Sequence, residues 1–364
     1  MLLDELTLHD LVRGAAFLGT GGGGDPYIGR VMVEEVMRAG KRVELIDPED
    51  VPDDALVIPT AMMGAPTVLV EKLPCGTEAC QSLRVLEQHL GRKAYATMPI
   101  ECGGINSTIP LLVGATLGRP VVNADGMGRA FPELYMETFH VYGVAGTPMV
   151  ISNEYGDSVL VTTHDNYAME WFARGITIRM GGCAYIAEYA MDGATVQRTA
   201  VPHTLSLCIR IGQTLREARA GHRDPFEALA LTLKDTPYRH AHVLFEGRVT
   251  SVQRATVGGF ARGECIIQAT GSDEERLRIE FQNENLVALK DDQVVGIVPD
   301  LICVLDADTA EPITTAYLRY GLFVKVMVVS TPDLMRTPEA LRVFGPQAFG
   351  LPYAFQPVEA VARS

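Results

Sequence analysis

The first 235 residues alternate between two patterns of apolar positions. Apolar residues that recur three and four positions apart predict amphipathic helices, whereas short apolar runs bounded by turn residues predict buried strands. The predicted helices are residues 8–18, 27–39, 78–90, 109–117, 204–220 and 225–233. The predicted strands are residues 42–46, 55–59, 93–98, 119–122, 148–152 and 158–163. Such alternation is typical of a mainly parallel sheet covered by helices, so residues 1–235 are predicted to form an α/β domain.

The pattern changes near residue 236, after which helical periodicity stops and β-prone runs follow one another between Gly, Asp and Asn turns. These runs are residues 242–252, 264–270, 276–282, 286–289, 293–298, 301–306 and 322–329. Closely spaced strands without helices predict a β-rich domain, barrel- or sandwich-like, over residues 236–335. The Pro- and Gly-punctuated segment 336–364 is a candidate to complete the first domain.

Two polar, glycine-flanked clusters follow predicted strands. E-C-G-G-I-N-S occupies residues 101–107, and N-A-D-G-M-G-R-A-F-P-E occupies residues 123–133. In an open α/β sheet, ligands bind outside the carboxyl ends of the strands. The carboxylates, thiol, amides and guanidinium of these clusters therefore indicate an active site. The same residue types also serve as ordinary strand-to-helix turns, and that alternative stays open.

A glycine run, L-G-T-G-G-G-G-D-P-Y-I-G, occupies residues 18–29. A dinucleotide fingerprint needs a strand before its glycines and a P-loop ends in Gly-Lys-Ser/Thr, so the context argues against nucleotide binding. Two interpretations remain. Gly22 and Gly23 belong to a flexible loop that closes over a small molecule, or the run only links two helices, the second capped by Asp25 with Pro26 in its first turn.

Composition restricts the partners. A net charge of −14 and a pI near 5.1 disfavour nucleic acid and anionic membranes, so a small-molecule substrate is expected. The acidic start of the chain lacks the basic segment of a signal peptide, and no apolar run reaches the ~18 residues of a membrane span, which predicts a cytoplasmic protein. Seven scattered cysteines without a C-x-x-C pair indicate neither a disulfide framework nor a zinc ribbon.

The glycine run and both polar clusters, together with three later motifs, resemble the S-methyl thiohydantoin desulfurase family, a hydantoinase-associated group. The later motifs are G-G-F-A-R-G at residues 258–263, F-Q-N-E-N-L at 281–286 and V-P-D-L-I at 298–302. The resemblance extends from the first predicted helix to G-P-Q-A-F-G at residues 345–350. It implies an N-terminal α/β domain, a β-rich C-terminal domain, and hydrolysis of a 2-methylthio-imidazolone ring to a hydantoin and methanethiol.

That reaction needs an acid to protonate a ring nitrogen and a base to take a proton from the attacking water. Asp125 and Glu133 are the predicted pair, with Glu101 as the third carboxylate, because two carboxylates in different environments can divide these tasks. Cys102 is the alternative, as a covalent nucleophile that displaces methanethiol. Its other interpretation is a small buried side chain.

The remaining polar residues of the clusters are predicted to bind the substrate. Asn106 and the N–H groups of Gly103 and Gly104 would hold the ring carbonyl. Asn123 begins the second cluster, and Arg129 would grip a substrate carboxylate. A structural salt bridge from Arg129 to Asp125 or Glu133 is the alternative role.

Other polar residues have weaker support. His164 lies at a predicted strand end and is a candidate to reach the cleft and bind the substrate, with a structural histidine as the alternative. Turn formation is the default for the N-E-N sequence at residues 283–285, which matters catalytically only if the β-rich domain closes over the first. No cofactor is expected, since the histidines lack metal-ligand spacing. A divalent metal held by Asp125 and Glu133 is not excluded.

A second function class stays open at this stage: a non-catalytic subunit that binds a hydantoinase- or oxoprolinase-type enzyme. Such a subunit would present a large apolar surface and an unfilled cleft. The ionisable groups gathered in two neighbouring loops favour an enzyme. Self-association and association with a hydantoinase-type enzyme are both left open.

Overall fold

The structure is a computed structural model that describes residues 1–65, 68, 74–258, 260–272 and 274–361. The helices are α1 Glu5–Leu18, α2 Pro26–Arg38, α3 Glu78–Leu90, α4 Ile109–Leu117, α5 Thr138–Val141, α6 Asn166–Arg179, α7 Gly193–Thr199, α8 Thr204–Ala220, α9 Pro225–Lys234, α10 Pro338–Phe344 and α11 Val358–Val361. The strands of the first region are β1 Leu45–Ile46, β2 Leu56–Gly64, β3 Ala96–Met98, β4 Val121–Val122, β5 Ala124–Asp125, β6 Met149–Ser152, β7 Ser158–Val161, β8 Cys183–Ala187, β9 Met191–Asp192 and β10 Val201–Pro202. Those of the second region are β11 Ala241–Val257, β12 Phe260–Ala269, β13 Arg276–Gln282, β14 Glu284–Lys290, β15 Gln293–Ile297, β16 Leu301–Asp306 and β17 Phe323–Val329.

The first region contains the predicted parallel strands within a mixed sheet. Its strand order is β1-β4-β3-β2-β8-β6-β7, with β9 beside β2. The pairs from β1 to β2 are parallel, and β8, β6 and β7 extend the sheet with antiparallel pairs. Neither β8 nor the preceding helix α6 was predicted. Strand β8 is short and buried along its whole length, so it carries no alternation of polar and apolar residues.

The second region is a seven-stranded antiparallel sheet in the order β15-β14-β13-β12-β11-β17-β16, which confirms the β-rich prediction. The sheet curls into a half-barrel, so that β16 at one edge contacts β14 and β15 at the other. Asn283, with a φ of 58°, makes the tight turn between β13 and β14. Side chains from the inner face form a separate apolar core.

Helix starts follow the predicted capping chemistry. The Asp25 carboxylate accepts a hydrogen bond from the N–H of Tyr27 at 2.9 Å, and Asp224 accepts one from Phe226 at 2.7 Å. A proline occupies the first turn of each helix, where its missing N–H costs nothing. These caps confirm that the glycine run lies between two helices.

The segment after residue 335 contacts both regions. The ring of Phe344 lies 4.9 Å from that of Phe131 in the first region. Arg336 pairs with Asp300 of the second, and the N–H of Val358 donates to the same carboxylate at 2.9 Å. The domain boundaries near residues 235 and 335 stay a prediction. Across the part of the chain that the structure describes, no helix has the length and apolar character needed to cross a bilayer.

Candidate functional site

A cavity of about 530 Å³ lies where the glycine run, the strand ends of the mixed sheet and the turns of the half-barrel meet. Its volume is within the usual range for small-molecule sites. Polar lining comes from carboxylates, amides and guanidinium groups of both regions: Glu101, Asn106, Glu133, Arg174, Arg254, Asn283 and Glu284. Apolar lining comes from Met62, Met63, Ile100, Met127, Phe131 and Leu134. The two regions therefore build one site together.

Glu101 lies on the cavity wall after strand β3 and is 5% exposed. Asn106 holds it in place: its Nδ2 donates to Glu101 Oε1 at 2.7 Å, and its Oδ1 accepts the N–H of Met62, also at 2.7 Å. Burial raises the pKa of Glu101 well above its usual range, and the charge of Glu284 raises it further. Both effects favour the protonated, neutral form of this carboxyl. Its Oε2 has no hydrogen-bond partner among the described residues.

Glu284 reaches the same cavity from the start of β14. The N–H of Gly23 donates to its Oε1 at 3.2 Å, whereas its Oε2 has no partner within the described ranges. Burial raises the pKa of Glu284 to about 7, although Arg129 opposes this shift. Near neutral pH this carboxyl is thus divided between its two protonation states. Such a group can accept and return a proton.

The glycine run lines the cavity and is held from both regions. The carbonyl of Gly21 accepts the N–H of Thr315 at 2.7 Å, and the carbonyl of Gly23 accepts that of Ile105 at 2.9 Å. A Cβ added to Gly22 would lie 2.0 Å from Glu284 Oε1. The glycines therefore allow the backbone to approach that carboxylate. Backbone groups of the run are therefore hydrogen-bonded to both regions beside Glu284.

Asp125, predicted as a catalytic carboxylate, is fully buried and does not line the cavity. Its Oδ2 accepts hydrogen bonds from the N–H groups of Cys102, Met127 and Gly128 at 2.8 to 3.1 Å. Burial raises its pKa to about 6. The carboxylate is therefore placed to join the two polar clusters to each other. Its position corrects the expectation that it faces the substrate.

Cys102, Gly103 and Gly104 are also absent from the lining. Burial raises the pKa of the Cys102 thiol well above its usual value, which opposes formation of a thiolate nucleophile. Added Cβ atoms at the two glycines would lie 2.9 Å from Gly19 and 2.0 Å from the Gly23 carbonyl oxygen. These glycines let the first polar cluster pack against the glycine run. They do not offer N–H groups to the cavity.

Arg129 is fully buried and lies outside the lining. Its guanidinium donates to Thr20 Oγ1 at 2.6 Å, to the Asp300 carbonyl at 2.9 Å and to the Asn285 carbonyl at 3.2 Å. It also lies 4.8 Å from the centre of the Phe131 ring. In the described structure it makes neither of the salt bridges considered above. Arg129 instead joins the first region to the turns of the half-barrel.

The other predicted residues divide between the cavity and the surface. Glu133 lines the cavity and is half-buried, whereas His164 is 83% exposed in its side chain beside Asp165. Asn123 bonds Asp47 and Ser206 at 2.8 and 3.0 Å, next to the start of α8, and is not part of the lining. Asn123 and His164 are therefore not brought to the candidate site.

Glu284, Arg174 and Arg254 line the cavity but were not among the predicted site residues. The sequence predicts a catalytic role for the N-E-N turn only if the second region closes over the first. Asn283 and Glu284 of this turn line the cavity, so the second region does close over the first. Arg174 lies on the unpredicted helix α6, where its Nε donates to Glu170 at 2.7 Å. Gly259 of the G-G-F-A-R-G motif lies outside the described residues.

Further acids lie buried behind the lining. Glu137 is next to Gly126, and burial together with the charge of Glu188 raises its pKa well above the usual range. Burial likewise raises the pKa of Glu188. Burial in this interior therefore favours the neutral form of both carboxyls. Among the described residues, no three His, Cys, Asp or Glu side chains are grouped so that they would hold a metal ion.

Two family models match the chain. The one described as "S-Me-THD-like, N-terminal domain" matches residues 6–163, and "S-Me-THD-like, C-terminal domain" matches residues 164–358. A crystal structure of a protein from Chromobacterium violaceum has the same fold, with a TM-score of 0.84 and 24% identity over 98% of this chain and 100% of that chain. No curated protein matches the chain.

Proposed function

Since the chain belongs to the S-Me-THD-like family, we propose that it is a hydrolase of S-methyl thiohydantoin-type rings, with Glu101 as acid and Glu284 as base. The substrate carbon is bonded to two nitrogens and a methylthio group. Water replaces the methylthio group, and the products are a hydantoin and methanethiol. The single observation that carries the assignment of roles is the pair of buried carboxyls from two regions that face one cavity.

Glu101 supplies the proton that makes the ring electrophilic. Burial raises its pKa well above the usual range, which favours the protonated acid. Asn106 occupies Oε1, whereas the buried Oε2 has no hydrogen-bond partner among the described residues, so we assign the transferred proton to Oε2. Protonation draws electrons from the attacked carbon and lowers the barrier to attack.

Glu284 takes a proton from the attacking water. With a pKa of about 7, a substantial fraction is ionised at neutral pH, yet it remains a stronger base than an ordinary carboxylate. The oxygen of water then bonds to the ring carbon and a tetrahedral intermediate forms. The C–S bond breaks, methanethiolate takes the proton from Glu284, and the new hydroxyl returns its proton to Glu101 as the carbonyl forms. Both carboxyls end in their starting states.

The cationic lining fits the remaining oxygens of such a ring. Arg174 is held by Glu170 and by the Pro132 carbonyl at 3.0 Å, and its guanidinium lies 4.9 Å from the centre of the Phe260 ring. Arg254 is anchored by the Leu318 carbonyl at 2.9 Å. Because both side chains are held, their charge is placed in advance of substrate binding.

The test is a methanethiol assay by gas chromatography on the purified chain, with S-methyl thiohydantoins as substrates and the matching hydantoins as controls. In ¹⁸O-labelled water, the label should enter the new carbonyl while the ring stays closed. Ring opening of the hydantoin without release of methanethiol would contradict the proposed reaction. No turnover of any of these rings, with or without an added hydantoinase-type enzyme, would favour the non-catalytic subunit.

A further inference from the structure

Helix α6 presents its polar and apolar residues in an unusual arrangement. Its charged residues Glu170 and Arg174 face inward, where they pair with each other at 2.6 Å. Trp171 and Ile178, in contrast, are 72% and 59% exposed. A surface helix normally exposes its charges and buries its apolar stripe. The pattern of α6 is therefore that of a helix with an apolar partner on its outer side.

The outward face of α6 is nearly free of charge. Large apolar side chains lie along both of its flanks: Tyr167, Trp171 and Ile178 on one and Phe172 on the other. Ala168 and Gly175 lie between the flanks, and nothing lies within 4 Å of a Cβ added to Gly175. Arg179 is the one charged residue on the outward face of this fully described helix.

We propose that this face is the two-fold interface of a homodimer, in which α6 packs antiparallel against α6 of a second copy. Small residues between large flanks allow two helix axes to approach closely, and the arrangement complements itself about a two-fold axis. Trp171 and Phe172 lie near the middle of the helix, and the centroids of their rings are 4.9 Å apart. This ring pair would therefore lie beside the two-fold axis of the dimer. This inference does not depend on the proposed reaction.

The available area suits a dimer of ordinary size. The exposed surface of the four large side chains, with Val159 of edge strand β7, is on the order of 600 Å² per copy, given ~150–250 Å² for each aromatic. A stable interface of standard size needs ~800 Å² from each partner. Strand β7 contributes Val159, which is 36% exposed at the open edge of the mixed sheet and alternates onto the same face as Val161, which packs in one core with α6. Residues at the rim of the interface would supply the small remaining area.

The charge distribution permits a second copy at this face. Each chain has a net charge of −14, so two copies repel wherever acidic surfaces meet. The outward face of α6 has no carboxylate, and the copies can approach there at little electrostatic cost. The same net charge opposes an anionic lipid surface, although the face is apolar.

Trp171 provides a direct readout, because it is the single tryptophan of the chain. Sedimentation velocity should show a dimer that dissociates on dilution from ~50 µM to ~50 nM, a range that covers most specific pairs. Over the same range the emission of Trp171 should shift to the red and become accessible to acrylamide. A monomer at all concentrations, or a dimer in which Trp171 stays fully quenchable, would overturn the proposal.

Two variants on the face and one control locate the contact. Phe172→Glu should yield a monomer with exposed Trp171 emission. Gly175→Leu should also yield a monomer. At ~50 nM, where the wild type is dissociated as well, its thermal stability should equal or exceed that of the wild type, since glycine is a poor helix residue. Leu231→Glu is the matched control, because Leu231 is 71% exposed on α9 and should leave the dimer intact.

Three results would overturn the assignment of this face. A dimer that survives both Phe172→Glu and Gly175→Leu would show that the copies meet elsewhere. Monomers whose Trp171 emission shifts to the blue only on adding neutral phosphatidylcholine vesicles would indicate a lipid surface. The same shift produced only by an added hydantoinase-type enzyme would indicate that enzyme as the partner.

Discussion

Asp125 and Glu284 are two buried carboxyls whose surroundings differ. Burial raises the pKa of both, to about 6 for Asp125 and about 7 for Glu284. One oxygen of Asp125 accepts three backbone N–H groups. Glu284 accepts one, at 3.2 Å, and lines the cavity. A raised pKa therefore does not by itself distinguish a structural acid from a chemical one, and access to the cavity is what separates them.

Replacing the cavity acids should have the largest effect. Glu101→Gln and Glu284→Gln should each lower turnover of the thiohydantoin by ~10²–10⁴, since general acid–base catalysis typically contributes that much. The midpoint temperature of thermal unfolding should be unchanged or slightly raised in both variants, because each substitution removes a buried ionisable group. The measurement is methanethiol release at saturating substrate together with calorimetry.

Asp125→Ala is the matched control for that comparison. It should leave turnover of the folded protein within ~10-fold but lower the free energy of unfolding by ~3 kcal/mol or more, because three buried N–H groups lose their acceptor. If Asp125→Ala instead abolished turnover at unchanged stability, the roles of Asp125 and Glu284 would have to be exchanged.

The comparison also shows what the sequence could predict. Both polar clusters follow strands as predicted, because apolar runs before Gly-rich turns indicate buried strand ends. The sequence could not show which acids face inward, since Asp125 and Glu133 lie eight residues apart in one cluster yet differ in access to the cavity. Glu284 could not be assigned to the site from the sequence either. It reaches the cavity because its turn packs near polar clusters that lie more than 150 residues earlier in the chain. Helix α6 was missed since its outward face is apolar and weakens the amphipathic pattern.

Arg129 gives the next test, at the point where the two regions are joined. Arg129→Met should lower the free energy of unfolding by ~3 kcal/mol, because the carbonyls of Asn285 and Asp300 lose a buried donor. It should also raise the pKa of Glu284, which Arg129 now lowers. The pH at half-maximal activity should therefore move upward. An unaltered pH profile with a selective rise in KM for carboxylate-bearing substrates would instead place Arg129 in contact with substrate.

The stability of the protein should depend on pH through Glu284. Its pKa is raised from 4.5 to about 7 on folding, so the folded state binds more protons between these values. The free energy of unfolding then falls as pH rises, and this contribution is complete below about 4.5 and lost above about 7. Its size is on the order of 3 kcal/mol. The free energy of unfolding of the wild type and of Glu284→Gln should be measured in urea from pH 4.5 to 8. The difference between the two proteins should change by that amount over this range. If the two free energies instead changed in parallel with pH, the raised pKa would be contradicted.

The smallest effect is expected at Cys102. Cys102→Ala should leave turnover within ~3-fold, because the thiol is buried, its pKa is raised well above the usual value, and its side chain does not line the cavity. Of the seven cysteines, all of which the structure describes, Cys75 is exposed and the others are buried. Iodoacetamide should therefore modify Cys75 without loss of activity, and a Cys75→Ser variant should resist modification while it stays folded. Inactivation of Cys75→Ser that substrate prevents would show that a buried thiol becomes accessible. In that case the covalent mechanism would replace the two carboxyls, and access to the cavity would not be what separates a chemical group from a structural one.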